Sequence, residues 1–204
     1  IDPGTEGFIQ HVDRFAGNPI FRGIRVGGQC VEDIEKGDFL KEMEHLVKRD
    51  LELDIMLGFQ LLPGLSELAR RLPELRIVIN HVAGIPINGE APDPQAVENI
   101  QEAAAQPQVY CKVSGLVEQS QVKPPPDGVE FYTPLLDMLW DAFGEDRLIY
   151  GSNWPVSAMA ASLNQVQRIV TNYVEGRGGE AKEKYFWRNS KVAYKWTERS
   201  GFVA

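Results

Sequence analysis

The sequence predicts an α/β protein built on a parallel β-sheet, and two features of its 204 residues indicate this class. Short apolar runs typical of strands alternate with amphipathic segments typical of helices, and successive strands begin roughly 25–40 residues apart. Strand-like runs such as RIVIN at residues 76–80 alternate poorly between apolar and polar side chains, as expected for strands covered on both faces. We therefore expect βα units joined by right-handed crossovers.

Five strands and the helices between them can be placed from these patterns. The predicted strands are residues 21–26, 51–57, 75–80, 109–113 and 147–150. The predicted helices are residues 38–49, a helix opened by Pro63 and ended by Pro73, and residues 93–106, 131–143, 163–174 and 180–196. Three consecutive prolines at 124–126 exclude helix and sheet interior. Residues 118–129 are therefore expected to form an extended loop, either a lid over the strand ends or an irregular surface crossover.

Two architectures fit this order of elements, a closed (β/α)8 barrel and an open doubly wound sheet. No glycine-rich phosphate loop follows a predicted strand, which counts against an open sheet that binds nucleotides. Five strands are too few for a complete barrel. Periodicity leaves both architectures open, and the length predicts one domain over residues 1–204.

Composition excludes several kinds of partner. The net charge of −8 counts against nucleic acid and anionic membranes, and no apolar run approaches the ~20 residues of a membrane span. The two cysteines, Cys30 and Cys111, lack the spacing of a metal site or disulfide framework, which indicates a reducing, cytoplasmic setting. We expect a small-molecule partner, with a homo-oligomer left open.

Polar side chains leave several of the predicted strands, where parallel α/β folds collect their chemistry. Of the three histidines only His81 lies at a strand end, whereas His11 and His45 lie in helical patterns and are expected to be solvated. An imidazole at a strand end can ligate a metal or polarise a carbonyl near neutral pH. The alternative is a structural histidine with satisfied hydrogen bonds.

Two cationic side chains also belong to strand ends. Arg25 would suit bidentate recognition of a carboxylate, or it forms an internal ion pair. Lys112 and Ser114 share one strand face and could line a pocket, although Lys112 could equally be an ion-pair partner. Ser152 and Asn153 follow the last predicted strand.

Five segments of the chain resemble one family, in the family's order. They are RGIRV at 22–26, RIVINHVAGIPI at 76–87, VYCKVSGLVE at 109–118, RLIYGSNWPV at 147–156 and FWRNSKVAYKW at 186–196. They resemble the amidohydrolase-related (amidohydrolase 2), fuconolactonase-like group, which includes sugar-acid lactonases and 2-pyrone-4,6-dicarboxylate lactonase. The resemblance implies a (β/α)8 TIM barrel of the metal-dependent hydrolase superfamily that lacks its first two strands. The His-x-His pair that the family carries on its first strand has no match here.

The resemblance also implies a function, namely water attack that opens the lactone of a sugar acid or a similar small carboxylate. His81 takes the role of carbonyl polarisation or metal binding. Arg25 is the implied substrate-binding residue. Lys112, Ser114 and Trp154 are further predicted substrate-binding residues. The implied cofactor is a divalent metal, Zn²⁺ or Mn²⁺, although some members of the group work without one.

Asn153 departs from the family pattern, which is commonly Gly-Ser-Asp-Trp-Pro where this chain has Gly-Ser-Asn-Trp-Pro. It occupies the position of the catalytic base, but an amide cannot accept a proton as a carboxylate does. Three explanations follow: another base substitutes, with Asp54 as a loose candidate; the reaction is that of a metal-dependent amidohydrolase or decarboxylase; or the barrel binds a small acid without turning it over.

Overall fold

A computed structural model describes residues 2–197 of the chain. Their five strands form one sheet in which every neighbouring pair is parallel. The strands are β1 (Gly23–Gly27), β2 (Glu52–Met56), β3 (Ile77–Ile79), β4 (Val109–Val113) and β5 (Leu148–Tyr150). Each overlaps one of the predicted strands.

Helices connect the strands, and the longer ones pack on one face of the sheet. The helices are α1 (Phe8–Ala16), α2 (Phe39–Lys48), α3 (Leu62–Arg71), α4 (Pro94–Ala104), α5 (Leu116–Gln119), α6 (Thr133–Phe143), α7 (Leu163–Glu175), α8 (Gly179–Glu183) and α9 (Asn189–Tyr194). The helix predicted over residues 180–196 is divided, because a π-helical turn at Lys184–Arg188 separates α8 from α9. The segment predicted as a loop begins inside α5, whose last two residues are Glu118 and Gln119.

The strands lie side by side in the order β1-β2-β3-β4-β5, which is their order in the sequence. A doubly wound sheet reverses its strand order at a switch point, whereas a barrel wall does not. The described sheet is therefore a barrel wall. A closed barrel has eight strands, so the five described strands form part of one.

The two faces of the sheet differ in chemistry. Successive residues of a strand point to opposite faces, so Leu53 and Ile55 of β2 lie on one face and Glu52 and Asp54 on the other. Leu53 and Ile55 are fully buried in the cluster that includes the apolar residues of the helices. Glu52 and Asp54 are buried as well, and the charge of Asp54 must be compensated locally.

Helix α9 packs at the N-terminal ends of the strands. Asn189 donates through Nδ2 to the carbonyl oxygens of Glu145, at 2.7 Å, and Leu148, at 2.8 Å. Arg76 Nε donates to the carbonyl oxygen of Ala193 at 2.9 Å. These bonds hold both ends of α9 and thereby place Tyr194 beside the inner face of the sheet.

One expectation about the histidines is wrong. His11 is exposed on α1, but the side chain of His45 on α2 is only 17% exposed. Its Nε2 lies 2.6 Å from Oδ1 of Asp13, which also accepts a hydrogen bond from Arg49 at 2.7 Å. His45 therefore joins α1 to α2. No helix within residues 2–197 combines the length and the apolar character needed to cross a membrane.

Candidate active site

Asp54, on the inner face of β2, is the centre of a polar cluster. Its Oδ2 accepts from Arg25 Nη2 at 3.0 Å, and Lys112 Nζ donates to both oxygens at 3.1 and 3.2 Å. The Tyr194 hydroxyl donates to Oδ1 at 2.9 Å. Both oxygens are thus filled by donors, two of them cationic, and Asp54 is not a free base. A fully bonded carboxylate of this kind orients the cations that bind it.

Asn80 completes this cluster from the end of β3. It is fully buried, and its Oδ1 accepts from Lys112 Nζ at 2.9 Å and from Arg25 Nη2 at 3.4 Å. Its Nδ2 donates to the carbonyl oxygen of Ile55 at 3.3 Å. Asn80 was predicted only as the last residue of a strand, not as a site residue. A polar residue directly before His81, after a fully apolar run, was the signal for it.

Arg25 and Lys112 differ in what they can offer a ligand. The Lys112 side chain is 14% exposed and its ammonium is held by Asp54 and Asn80, which is the ion-pair alternative stated above. The Arg25 side chain is 53% exposed although one of its nitrogens binds Asp54. Arg25 therefore has donors to spare for a ligand, whereas contact between Lys112 and a substrate stays a prediction.

His81 follows β3 and is paired with Ser114, which follows β4. The distance between His81 Nδ1 and Ser114 Oγ is 2.8 Å, and the described residues give Nε2 no hydrogen bond. Burial lowers the pKa of His81 below its usual 6.5, and the nearby charges of Arg25 and Lys112 lower it further. The imidazole is consequently neutral at pH 7, the form that ligates metals and polarises carbonyl groups.

The backbone that carries His81 is strained. His81, Val82 and Ala83 have φ values of 52°, 49° and 54°, and Gly84 continues the left-handed turn at 62°. This conformation costs about 1–2 kcal/mol for each non-glycine residue and is an outlier for a β-branched one. Val82 and Ala83 are fully buried, so packing enforces the turn. Strain of this kind clusters at functional sites.

A second polar pair lies at the same end of the sheet. Asn153, with φ of 55°, donates through Nδ2 to Oε1 of Glu118 at 2.7 Å. Glu118 belongs to α5, the short helix that follows β4, and α5 packs against the turn that holds His81. Glu118 is the last residue of VYCKVSGLVE and was not predicted as a site residue. A carboxylate just after a strand end was the available signal.

Trp154, next to Asn153, is 63% exposed, and its peptide bond to Pro155 is cis. The structure thus brings Arg25, Lys112, His81 and Ser114 to neighbouring strand ends and sets Asn153 beside Glu118. Contact of Trp154 with a substrate stays a prediction.

A divalent metal does not fit the residues described here. Within residues 2–197, no three His, Cys, Asp or Glu side chains lie close enough together to hold a metal ion. His81 is one candidate ligand, the oxygens of Asp54 are filled, and the amide of Asn153 is a poorer ligand than a carboxylate. No chemical step is therefore assigned to a metal.

Comparison with known proteins agrees with this geometry. The amidohydrolase family profile matches residues 1–196. L-fucono-1,5-lactonase of Burkholderia ambifaria is 37% identical over 151 residues, which are 71% of this chain and 50% of that protein. L-fucono-1,5-lactonase of Burkholderia multivorans is 30% identical over 161 residues, 76% of this chain and 54% of that protein. The chain thus spans about half the length of these curated relatives.

A solved structure gives the same result for the fold. The zinc-bound crystal structure of an amidohydrolase from Burkholderia multivorans superposes with a TM-score of 0.84 at 25% identity, covering 97% of this chain and 72% of that one. The family match over almost the whole sequence, two relatives at 30% identity or more and a shared barrel wall agree with one another. The chain therefore belongs to the amidohydrolase family.

Proposed function

We propose that the full-length protein hydrolyses the lactone of a sugar acid or a similar small carboxylate. The observation that carries this proposal is a neutral imidazole, His81, set beside the partly exposed guanidinium of Arg25 at the C-terminal ends of parallel strands. A neutral donor and a fixed cation are what a developing oxyanion requires. The curated relatives named L-fucono-1,5-lactonase support the substrate class.

His81 polarises the lactone carbonyl in this proposal. The reaction needs the tautomer that carries its proton on Nε2, with the Ser114 hydroxyl donating to Nδ1 at 2.8 Å. Nε2–H then donates to the carbonyl oxygen, and the bond strengthens as that oxygen becomes negative. Donors of this kind typically contribute about 10²–10³ in kcat.

Arg25 binds substrate oxygens through the nitrogens that Asp54 does not use. Asp54 and Asn80 hold one end of the guanidinium, which reduces the conformational freedom that binding would otherwise remove. Lys112 adds a second positive charge to the cluster, and Asp54 and Asn80 hold its ammonium group as well. This arrangement suits a ligand rich in hydroxyl, carbonyl or carboxylate oxygens.

The reaction adds one water to the ring ester. A water oxygen bonds to the carbonyl carbon, a base takes a proton from that water, and the carbonyl oxygen becomes the oxyanion. The intermediate collapses by breaking the bond from the carbonyl carbon to the ring oxygen, which takes up a proton. The product is an open-chain hydroxy acid, which releases one proton at neutral pH.

The test is hydrolysis of a panel of sugar-acid γ- and δ-lactones by the full-length protein, followed through proton release. We expect turnover of at least one lactone above the spontaneous rate. No turnover across the panel would refute the proposal and favour a barrel that binds small acids silently. Repeating the assay with a chelator separates metal-independent turnover from turnover that needs Zn²⁺ or Mn²⁺.

The cellular setting that we propose is the cytoplasm. Cys30 and Cys111, which are the two cysteines of the chain, are both free thiols, as expected in a reducing compartment.

A further inference from the structure

Glu118 has one carboxylate oxygen without a hydrogen-bond partner. Oε1 accepts from Asn153 Nδ2 at 2.7 Å, while Oε2 is buried and receives no hydrogen bond from residues 2–197. Buried polar atoms in native proteins nearly always have a partner, and the exceptions call for an explanation. An oxygen that faces a water or substrate would supply that explanation.

Glu52 is the other glutamate with such an oxygen among the described residues, and it shows what distinguishes Glu118. Glu52 lies two residues before Asp54, on the N-terminal side of the polar cluster. Burial raises the pKa of Glu52 to about 9, with a further contribution from the charge of Asp54. Glu52 is therefore protonated at pH 7 and lies away from the strand ends, so it is unsuited to act as a base there.

Glu118 instead lies at the C-terminal ends of the strands, close to the group that polarises the carbonyl. Helix α5, which carries Glu118, packs against the turn at His81. The charge of Glu118 raises the pKa of His81, whereas burial and the charges of Arg25 and Lys112 lower it. A base and an oxyanion donor must both lie near the reacting carbon. Among the described residues near His81, Glu118 combines a carboxylate with an oxygen that is not already bonded.

We propose that Glu118 is the general base of the hydrolysis and that Asn153 orients it. The assignment rests on the proposed lactonase function and resolves the departure at Asn153, because the carboxylate missing from that position reappears on a neighbouring residue that the amide binds. Glu118 is the catalytic residue and Asn153 a positioning residue. Of the explanations given for Asn153, this is substitution by another base.

The step balances without any additional reactant. Oε2 of Glu118 takes a proton from the attacking water as the new bond from oxygen to the carbonyl carbon forms. The protonated Glu118 then gives that proton to the ring oxygen as its bond to the carbonyl carbon breaks. Glu118 returns to a carboxylate, and the hydroxy acid leaves.

The first experiment compares the full-length parent with Glu118→Gln on a lactone that the parent hydrolyses. General bases typically contribute about 10²–10⁴-fold, so we expect a fall in kcat of that size with KM changed by less than about threefold. Glu130→Gln is the matched control, because Glu130 is an exposed glutamate twelve residues further along the chain. That control should keep kcat within about twofold.

The second experiment exchanges the two groups. In the double variant Glu118→Gln/Asn153→Asp the amide stands on α5 and the carboxylate returns to the family position. We expect at least a tenfold recovery of kcat relative to Glu118→Gln alone, because a carboxylate is returned to the hydrogen-bonded pair. Melting temperatures measured in parallel show whether each variant is folded.

Each outcome decides between the two proposals. If the parent turns over a lactone and Glu118→Gln keeps kcat within threefold, the base assignment is wrong and the lactonase function stands. A double variant no faster than Glu118→Gln also overturns the assignment. A parent without turnover on the whole panel refutes the proposed function, and the base assignment falls with it.

Discussion

Two carboxylates of this site, Asp54 and Glu118, are bonded in opposite ways. Asp54 accepts hydrogen bonds on both oxygens from Arg25, Lys112 and Tyr194, whereas Glu118 accepts one on Oε1 and none from the described residues on Oε2. A carboxylate filled by donors fixes the positions of its partners. A carboxylate held at one oxygen is oriented but still able to take a proton. The comparison separates a framework group from a reactive one.

The largest expected effect comes from breaking the framework group. Asp54→Ala removes the counter-charge of Lys112, whose side chain is 14% exposed, and should lower the free energy of unfolding by about 3–5 kcal/mol. Urea denaturation measures this change. Asp127→Ala is the control, because its ion pair with Arg168 is exposed and should be worth less than about 1 kcal/mol. Equal losses in the two variants would contradict the framework role.

The next effect concerns the oxyanion donor. His81→Ala should lower kcat for the lactone by about 10²–10³, the contribution typical of one such donor. Steady-state kinetics with His11→Ala as the control tests this, because His11 is exposed on α1. A fall of the same size in both variants, or in neither, would show that His81 has no specific role.

Much of the framework could be predicted from the sequence, because strands covered on both faces are continuous apolar runs. The positions of Arg25, His81, Lys112 and Ser114 at strand ends could be predicted for the same reason.

The hydrogen bonds between these side chains could not be predicted from the sequence. Tyr194 lies 140 residues from Asp54 and reaches it only because α9 packs beside the sheet. Glu118 lies 35 residues before Asn153, and nothing in one sequence reports their contact. The left-handed turn at His81 is equally hidden, because Val82 is a residue that disfavours it.

A smaller effect separates backbone strain from contact with the site. Gly115 and Gly7 are both left-handed, with φ values of 72° and 81°. A Cβ on Gly115 would lie 3.3 Å from His81 Cβ, whereas one on Gly7 would make only ordinary contacts with side chains of α1, at 3.7 Å or more. Each change to Ala should destabilise the fold by about 1–2 kcal/mol. Thermal unfolding should therefore show similar losses. Only Gly115→Ala should lower kcat, and an equal kcat in both variants would argue against a tightly positioned His81.

The smallest expected effect is a change in the pKa of His81. Arg25 and Lys112 lower the pKa of His81 and Glu118 and Asp54 raise it, so Arg25→Gln should move the His81 pKa upward. NMR titration of the His81 ring measures the shift, with Arg168→Gln as an exposed control. An unchanged or lower pKa would contradict the electrostatic account.

The lowered pKa of His81 also makes the stability of the fold depend on pH. Because the folded pKa of His81 lies below the unfolded value near 6.5, the unfolded state binds more protons between the two values. Stability from this group is present above pH 6.5 and is lost as the pH falls through the folded pKa. Arg25→Gln brings the folded pKa of His81 closer to 6.5. The free energy of unfolding of this variant, relative to that of the parent, should therefore rise as the pH is lowered from 6.5 through the folded pKa.

The most direct test of the central claim is a crystal structure of the full-length protein with a lactam analogue of a lactone that it hydrolyses. We predict a water held by Glu118 Oε2, roughly 3–3.5 Å from the carbonyl carbon, while His81 Nε2 donates to the carbonyl oxygen. An analogue bound with its carbonyl carbon remote from Glu118, and with another group holding the water, would contradict the division of roles between Asp54 and Glu118.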